Sequence, residues 1–257
     1  HLRAAANAMH QGPRHRKPDL PPLAAMPPAD DRRRFLTMNR RLREHRLVAL
    51  GRIFARGLQG RGLISCIGLV EHRRHEVAGV IRKARIGLRA FAAEIDAFER
   101  EVAPALPLTI PGDTATDPIF GIEHELFAAT DFSLVVETEM SAGENRRFTE
   151  KSLKPLAAGH PAVVAGNAGV LAMLRGLGFR TFAPWIDEGY DLIEDPAARL
   201  CAVLAEFERL AVLPEDAMAG LRAGLAEATG HNARHFAAGL PEVIARQDEA
   251  LADTIAA

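Results

Sequence analysis

Three short stretches of the 257-residue chain are apolar without alternation: GLISCIGLV (62–70), FSLVVET (132–138) and PAVVAG (161–166). A strand with one wetted face alternates apolar and polar side chains, so unbroken runs of this length describe strands covered on both faces. RFLTMN (34–39) reads as a fourth, and helical spacing fills the intervals. EHRLVALGRIFARGL (44–58) aligns Leu47, Leu50, Phe54 and Leu58, and the stretch from Glu76 to about Val102 aligns Val80, Ile81, Leu88, Phe91, Ile95 and Phe98. Further helices are expected over 119–129, from FTEK (148–151) onward, over AGVLAMLRGLG (168–178) closed by Gly176 or Gly178, and over 195–212, 215–229 and 232–254. Strands alternating with helices predict an α/β fold: a Rossmann-like parallel sheet with helices on both faces and a helical C-terminal region.

The segment GPRHRKPDLPPLAAMPPADD carries six prolines and no apolar period. Residues 1–31 are therefore read as a linker or the remnant of a missing N-terminal domain, and 32–257 as the folded domain. The chain begins at His1, not Met, which fits a piece of a longer protein. PALPLTIPGDTATDP (104–118), with four prolines and a Gly-Asp turn, is expected to be a loop that joins no ladder. Two cysteines, Cys66 and Cys201, sit in apolar runs as small buried hydrophobes and cannot form a disulfide framework. With no membrane-length apolar run and no signal-peptide core, the expectation is a cytoplasmic protein.

Charge is distributed unevenly. Residues 1–61 hold 14 Arg/Lys against 4 Asp/Glu, and the remainder 18 against 29. A basic front suits an anionic ligand, or it is a solvated face or a contact with the acidic back. Nucleic acid ranks last among the partners, because aromatics are only 5% of the chain and few lie among the basic residues.

In parallel sheets ligands bind beyond the carboxyl ends of the strands. Three such ends are charged. After RFLTM come Asn39, Arg40, Arg41, Arg43, His45 and Arg46. Arginine suits phosphate because its planar fork donates in parallel pairs and stays charged. After FSLVV come Glu137 and Glu139, placed either to accept bonds from sugar or ribose hydroxyls or to cap the following turn. The third end opens a helix, with Thr149 as N-cap, Glu150 in the first turn, and Lys151 and Lys154 one turn apart. Lysines are unfavourable beside a helix dipole's positive end, unless they point into solvent or an anion rests on the helix N-terminus.

Gly166 and Gly169 lie in VVAGNAG, a Gly-rich turn after a strand, but the G-x-G-x-x-G and Walker spacings are absent. HRRH (72–75) lacks further zinc ligands, no G-x-S-x-G elbow occurs, and His160 before its strand reads as a hydrogen-bonded structural residue. No metal site is expected.

The order FSLVVETE…FTEKSLKPLAAGHPAVVAGNAGVLAMLRGLGFRTF resembles the donor-binding half of GT-B glycosyltransferases, most closely the fucosyltransferase-like kind. Those enzymes carry a strand ending in x-E, then T-E-K, then G-x-P-x-(V/I)-x-G. It is also similar to bacterial and phage proteins that share TEK-(T/S)-x-KP and a following W-I-D-E-x-Y-D, here PWIDEGYD (184–191). The likeness is close over residues 131–200 and looser over 34–70. It implies that Glu150 holds the donor ribose, that Lys151 holds the diphosphate, and that one of Arg40, Arg41 or Arg43 assists. VVETE stands where fucosyltransferases have an Asn-Ser pair, and the stretch ahead of Arg32 reads as a linker, so the acceptor domain and catalytic base are expected to lie outside this chain. The absence of two Glu residues eight positions apart favours inversion.

The expected function is therefore a glycosyltransferase, inverting and metal-independent. Its donor is a GDP- or UDP-linked sugar, its acceptor an unidentified glycan, lipid or protein, and no cofactor is permanently bound. The ligand-binding residues expected are Arg40, Arg41, Arg43, Glu137, Thr149, Glu150, Lys151, Lys154 and Gly166. The alternative is a non-catalytic nucleotide-binding or assembly protein of the same fold, related to phage proteins.

Overall fold

Strand β1 (Arg33–Asn39) runs between β2 (Gly62–Cys66) and β3 (Thr130–Val136), and β4 (Ala162–Ala165) lies outside β3. All pairs are parallel, in the order β2-β1-β3-β4, with Phe35 opposite Phe132 and Met38 opposite Ser65. The computed structural model describes residues 32–66, 74–110, 121–143 and 147–240. The linker reading of 1–31, half of HRRH (72–73), parts of three predicted elements (67–70, 119–120 and 241–254) and much of the proline loop lie outside them.

The fold is α/β, as the unbroken apolar runs predict: every residue of β3 and β4 is buried. Phe35 and Phe132 stand on one face with Phe207 of α7 (Pro196–Ala211), ring centroids 4.8 and 6.0 Å from Phe207. Helices α1 (Glu44–Ala55), α2 (Arg74–Gly87) and α3 (Ala92–Ala97) pack together. Gly51 brings α1 against α3, where an added Cβ would lie 2.0 Å from the Glu94 carbonyl oxygen. On the other face Leu36 packs with Leu126 and Phe127 of α4 (His124–Ala128) and with Ala158, just beyond α5 (Glu150–Ala157). Helix α6 (Val170–Gly176) follows β4, and α8 (Glu215–Arg234) packs on α5.

Several boundaries differ from expectation. The 76–102 helix breaks after Gly87 into a short turn and α3; the break leaves no mark in the sequence pattern, because apolar residues of both halves pack on the same core. The expected break near Gly230 is absent. There α8 continues through Arg234 into a wider turn (His235–Gly239), held by buried Asn232, whose amide accepts from Arg180 N–H and donates to Arg180 C=O, both at 2.8 Å. Tertiary bonding of this kind outweighs the roughly 1 kcal/mol cost of a helical glycine. The proline loop does join a ladder at one point, where Leu108 and Cys66 form an antiparallel bridge. Gly178, at φ +92°, follows the end of α6. Cys66 is buried, but Cys201 is exposed: its place in α7 turns it away from the face of Leu200 and Val203.

The charge asymmetry resolves mainly into internal pairing. At the amino edge of the sheet, buried Asp131 meets Arg32, Arg34 and Arg222 at 3.1, 3.0 and 2.8 Å. Arg52 and Arg56 meet Glu208, and Arg52 also meets Glu94. Arg33 and Arg61 donate to the carbonyls of Gly60 and Ala211.

Two buried histidines tie stability to pH. The ring of His45 bonds the Glu137 carbonyl at 2.8 Å, and that of His160 bonds Thr130 O and Ser133 Oγ at 3.1 Å each. Burial lowers both from 6.5 to about 4, against the pull of those backbone bonds. The unfolded chain thus takes up protons that the folded chain refuses. Stability should be level above about pH 7 and fall by roughly 1.4 kcal/mol per pH unit per histidine from about pH 6.5 towards 5. Urea titrations at stepped pH check this, with His160→Gln expected to make the slope shallower. Gly51→Ala should cost on the order of 2 kcal/mol in the same assay, through overpacking against the Glu94 carbonyl.

Candidate functional site

The strand order reverses direction between β1 and β3, and at such a switch point the connections leave to opposite sides and open a crevice. A cavity of about 590 Å³ lies there, within the range of small-molecule sites. Leu36, Met38, Phe127 and Pro155 contribute apolar lining. Around them stand six cations, Arg40, Arg41, Arg43, Arg46, Lys151 and Lys154, against two carboxylates, Glu123 and Glu150. Cations from two strand ends expected to meet do meet here.

The rim is positioned by buried neighbours. Arg46 is 2% exposed; its Nε and Nη2 donate to Val136 O at 3.2 and 3.0 Å, and its Nη1 to Arg41 O at 2.7 Å. Together with His45 on Glu137 O, it satisfies carbonyls at the β3 end that the ladder leaves open. Burial pushes the Arg46 guanidinium down to about 10, Glu137 opposes that and Arg43 adds to it, so Arg46 remains charged at neutral pH. Arg40, Arg41 and Arg43 are exposed, and among the described residues their side chains have neither an acceptor nor an ion pair. These three are what internal pairing of the basic front leaves over.

The lysines answer differently. Lys151 Nζ pairs with Glu150 Oε1 and lies 3.5 Å from Thr149 Oγ1. Burial opposes ionisation of Glu150, but Lys151 and the donors around it hold the carboxyl below its ordinary value. Lys154 pairs with Glu123 at 3.3 Å, both side chains nearly covered. Each lysine therefore has a protein carboxylate beside it, and the excess charge of the cavity belongs to the four arginines.

Glu137, expected as a hydroxyl acceptor or a cap, is the cap. Its Oε1 accepts from Thr149 N–H at 3.0 Å and Ser152 Oγ at 2.6 Å; its Oε2 accepts from Thr149 Oγ1 at 2.6 Å and Thr138 N–H at 3.2 Å. The carboxylate is 1% exposed and lies behind the cavity wall with Thr149, whose Oγ1 accepts from Lys151 N–H at 3.4 Å. The amino end of α5 is thus occupied by the chain itself, and what it offers a ligand is the Lys151 ammonium and the Glu150 carboxylate. Glu139 likewise caps its turn through Ser141 Oγ at 3.0 Å and pairs with Arg147.

Gly166 does not line the cavity. It is buried beside Glu137 and Val170, and its carbonyl accepts from Arg199 Nε at 2.9 Å. The N–H groups opening α6 belong to Asp191, whose carboxylate takes Leu171 and Ala172 at 3.1 and 3.2 Å while its carbonyl takes Gly169 N–H. PWIDEGYD is accordingly a fastening loop: Tyr190 Oη accepts Val164 N–H, and Glu188 accepts Phe182 N–H.

Sequence reasoning passed over Arg46 as a clamp, Glu123 as the Lys154 partner, and the polar residues Asn39 and Ser65, which also line the cavity. A lone serine near the end of an apolar strand was a readable signal; the partnership of Glu123 was not, since its loop has no pattern. Among the described residues no group of three or more His, Cys, Asp or Glu is arranged to hold a metal ion, and no helix is long and apolar enough to cross a membrane.

No protein-family model, curated protein or solved structure matches this chain.

The division of labour around the β3 end is measurable. Glu137→Ala strands four donors and should cost about 3 kcal/mol or more of unfolding free energy. Arg40→Ala and Arg43→Ala, exposed and without partners among the described residues, should stay within about 0.5 kcal/mol of the parent. Chemical denaturation followed by circular dichroism checks both.

Proposed function

We propose that the cavity binds the diphosphate of a nucleotide sugar and that the chain is the donor-binding portion of a GT-B-like glycosyltransferase. One observation carries this reading: three exposed arginines that have no acceptor or ion pair among the described residues, and a fourth buried one, gather at the switch point of a parallel sheet, above a mainly apolar floor. Positive charge placed there in advance is worth most where it meets a charge that develops during reaction. In glycosyl transfer that is the departing diphosphate, which takes the electron pair as the bond from the sugar's anomeric carbon to its phosphate oxygen breaks. Arg40, Arg41, Arg43 and Lys151 are assigned to that diphosphate, and Glu150 to ribose hydroxyls, with its partner Lys151 turning to the phosphates. Inversion without a metal is the mode carried over from the fucosyltransferase resemblance, with a GDP- or UDP-linked donor. In this reading Glu137, Thr149 and Gly166 support the site from behind, and Lys154 stays with Glu123.

A second reading has its own support. The two carboxylates in the cavity are both paired with lysines, so among the described residues none is free to take a proton from an acceptor hydroxyl. A nucleotide-binding protein without transferase activity would be built this way.

Titration calorimetry of the folded chain with GDP, UDP and their sugar conjugates tests the first step. Binding should weaken at least tenfold in Arg40→Ala/Arg43→Ala and in Lys151→Ala, with circular dichroism unchanged, and should decline as salt is raised. Release of free sugar or its transfer to an added acceptor supports the transferase; tight binding without turnover supports the second reading. A native chain indifferent to every nucleoside diphosphate refutes both.

A further inference from the structure

The chain has one tryptophan, Trp185, and 44% of it is exposed, although tryptophan is on average a well-covered residue type. Loose backbone does not explain this. Its N–H donates to Phe182 O at 3.0 Å, its carbonyl accepts from Arg209 Nη2 at 3.1 Å, and its neighbours Phe182 and Ile186 are buried. The indole rests on α8 at Gly224, where an added Cβ would lie 2.1 Å from Cε2 and Cζ2 of the ring. Glycine lets the ring lie against the helix backbone, and Trp185 there borders a second cavity, of about 530 Å³.

Polar groups line the same cavity. Glu227 follows Gly224 by three residues on α8, so the two share a helix face about one turn apart. Its Oε1 accepts from Arg180 Nη1 at 2.6 Å, and both side chains are exposed. Arg175, near the end of α6, donates to Thr181 Oγ1 at 2.9 Å and pairs with Glu188 at 3.3 Å. The loop carrying Arg180 and Thr181 is fixed to α8 by Asn232, which bonds the N–H and C=O of Arg180 at 2.8 Å each. Phe179 packs edge-on against His235 at 4.9 Å, so the wall stands on fastened backbone.

Each arginine here has a carboxylate beside it, so this cavity, unlike the cationic one, holds no excess charge for an anion. Its features are an aromatic surface and fixed donors and acceptors, the composition of a small-molecule site. A pyranose ring matches them: C–H groups cover its faces, hydroxyls that both donate and accept surround its edge, and it is neutral. The core of a protein interface is instead depleted of charged residues, whereas three stand here around one indole. We propose that the Trp185 cavity binds a neutral saccharide, with one ring against the indole and its hydroxyls shared between Glu227 and the arginines. This site is separate from the diphosphate reading and does not depend on it.

As the sole tryptophan, Trp185 reports on its own site. Fluorescence titration of the full chain with glucose, galactose, mannose, N-acetylglucosamine and trisaccharides built from them, up to about 20 mM, should give a saturable change with at least one. Calorimetry with the responding saccharide should show binding weaker by about tenfold or more in Trp185→Ala and by about three- to tenfold in Glu227→Ala, with no decline as salt is raised. Gly224→Ala keeps the tryptophan and suits a helix better than glycine, but its methyl group displaces the ring; it should fold like the parent and bind about threefold more weakly or worse. Circular dichroism of each variant separates a binding loss from a folding loss. A panel with no saturable response, or binding that Trp185→Ala leaves unchanged, overturns the proposal. So does self-association in sedimentation that Trp185→Ala abolishes while no saccharide responds, since the surface is then a contact between protein chains. Nucleoside diphosphate binding is read separately, so either result can fail without the other.

Discussion

The carboxylate of Glu137 organises the region on which everything else in the site depends. One buried anion takes four donors from the turn after β3 and from the first turn of α5, while His45 and Arg46 hold the carbonyls of Glu137 and Val136 from the opposite side. The end of the strand is thereby fixed in both polarities, its acceptors by α1 and its carboxylate by α5. The β1–β3 ladder fixes the two strands beneath the cavity, and this clasp carries that order up to its two rims.

Electrostatics divide the molecule between the two edges of one sheet. At the amino edge three arginines surround Asp131, and Glu215 lies close to two of them, so charge is matched locally. At the carboxyl edge the lysines are matched by carboxylates and, among the described residues, the arginines are not. Burial is the main cause of the lowered Arg46 guanidinium, opposed by Glu137, and the nearby Arg43 adds to it.

Much of this was legible in the chain itself. Unbroken apolar runs locate β3 and β4, buried throughout, and the edge strand β2, only partly covered over its first three residues, while β1 is placed by RFLTMN ahead of a helical stretch; the rule that ligands gather at carboxyl ends brings Arg40–Arg43 and Lys151 together. What escaped were effects of distant partners. Asn232 sustains a helix across Gly230 by bonding a loop some fifty residues earlier. Glu137 resembled a ligand acceptor because its donors, Thr149 and Ser152, come within reach only after α5 folds back. Gly166 resembled a phosphate turn because Asp191, which fills the neighbouring helix end, belongs to a later segment. Local pattern reports local geometry; it is silent on which donors tertiary contact has already consumed.

The loop from Asn39 to Arg46 alternates its obligations. Leu42, His45 and Arg46 are buried, and the last two hold backbone carbonyls, while Arg40, Arg41 and Arg43 line the cavity and have no hydrogen bond or ion pair among the described residues. Scaffold and recognition are thus written on different letters of one eight-residue word. Such a loop can exchange three surface side chains without renegotiating the fold, which makes it a natural place for related chains to diverge and a convenient one for redesign.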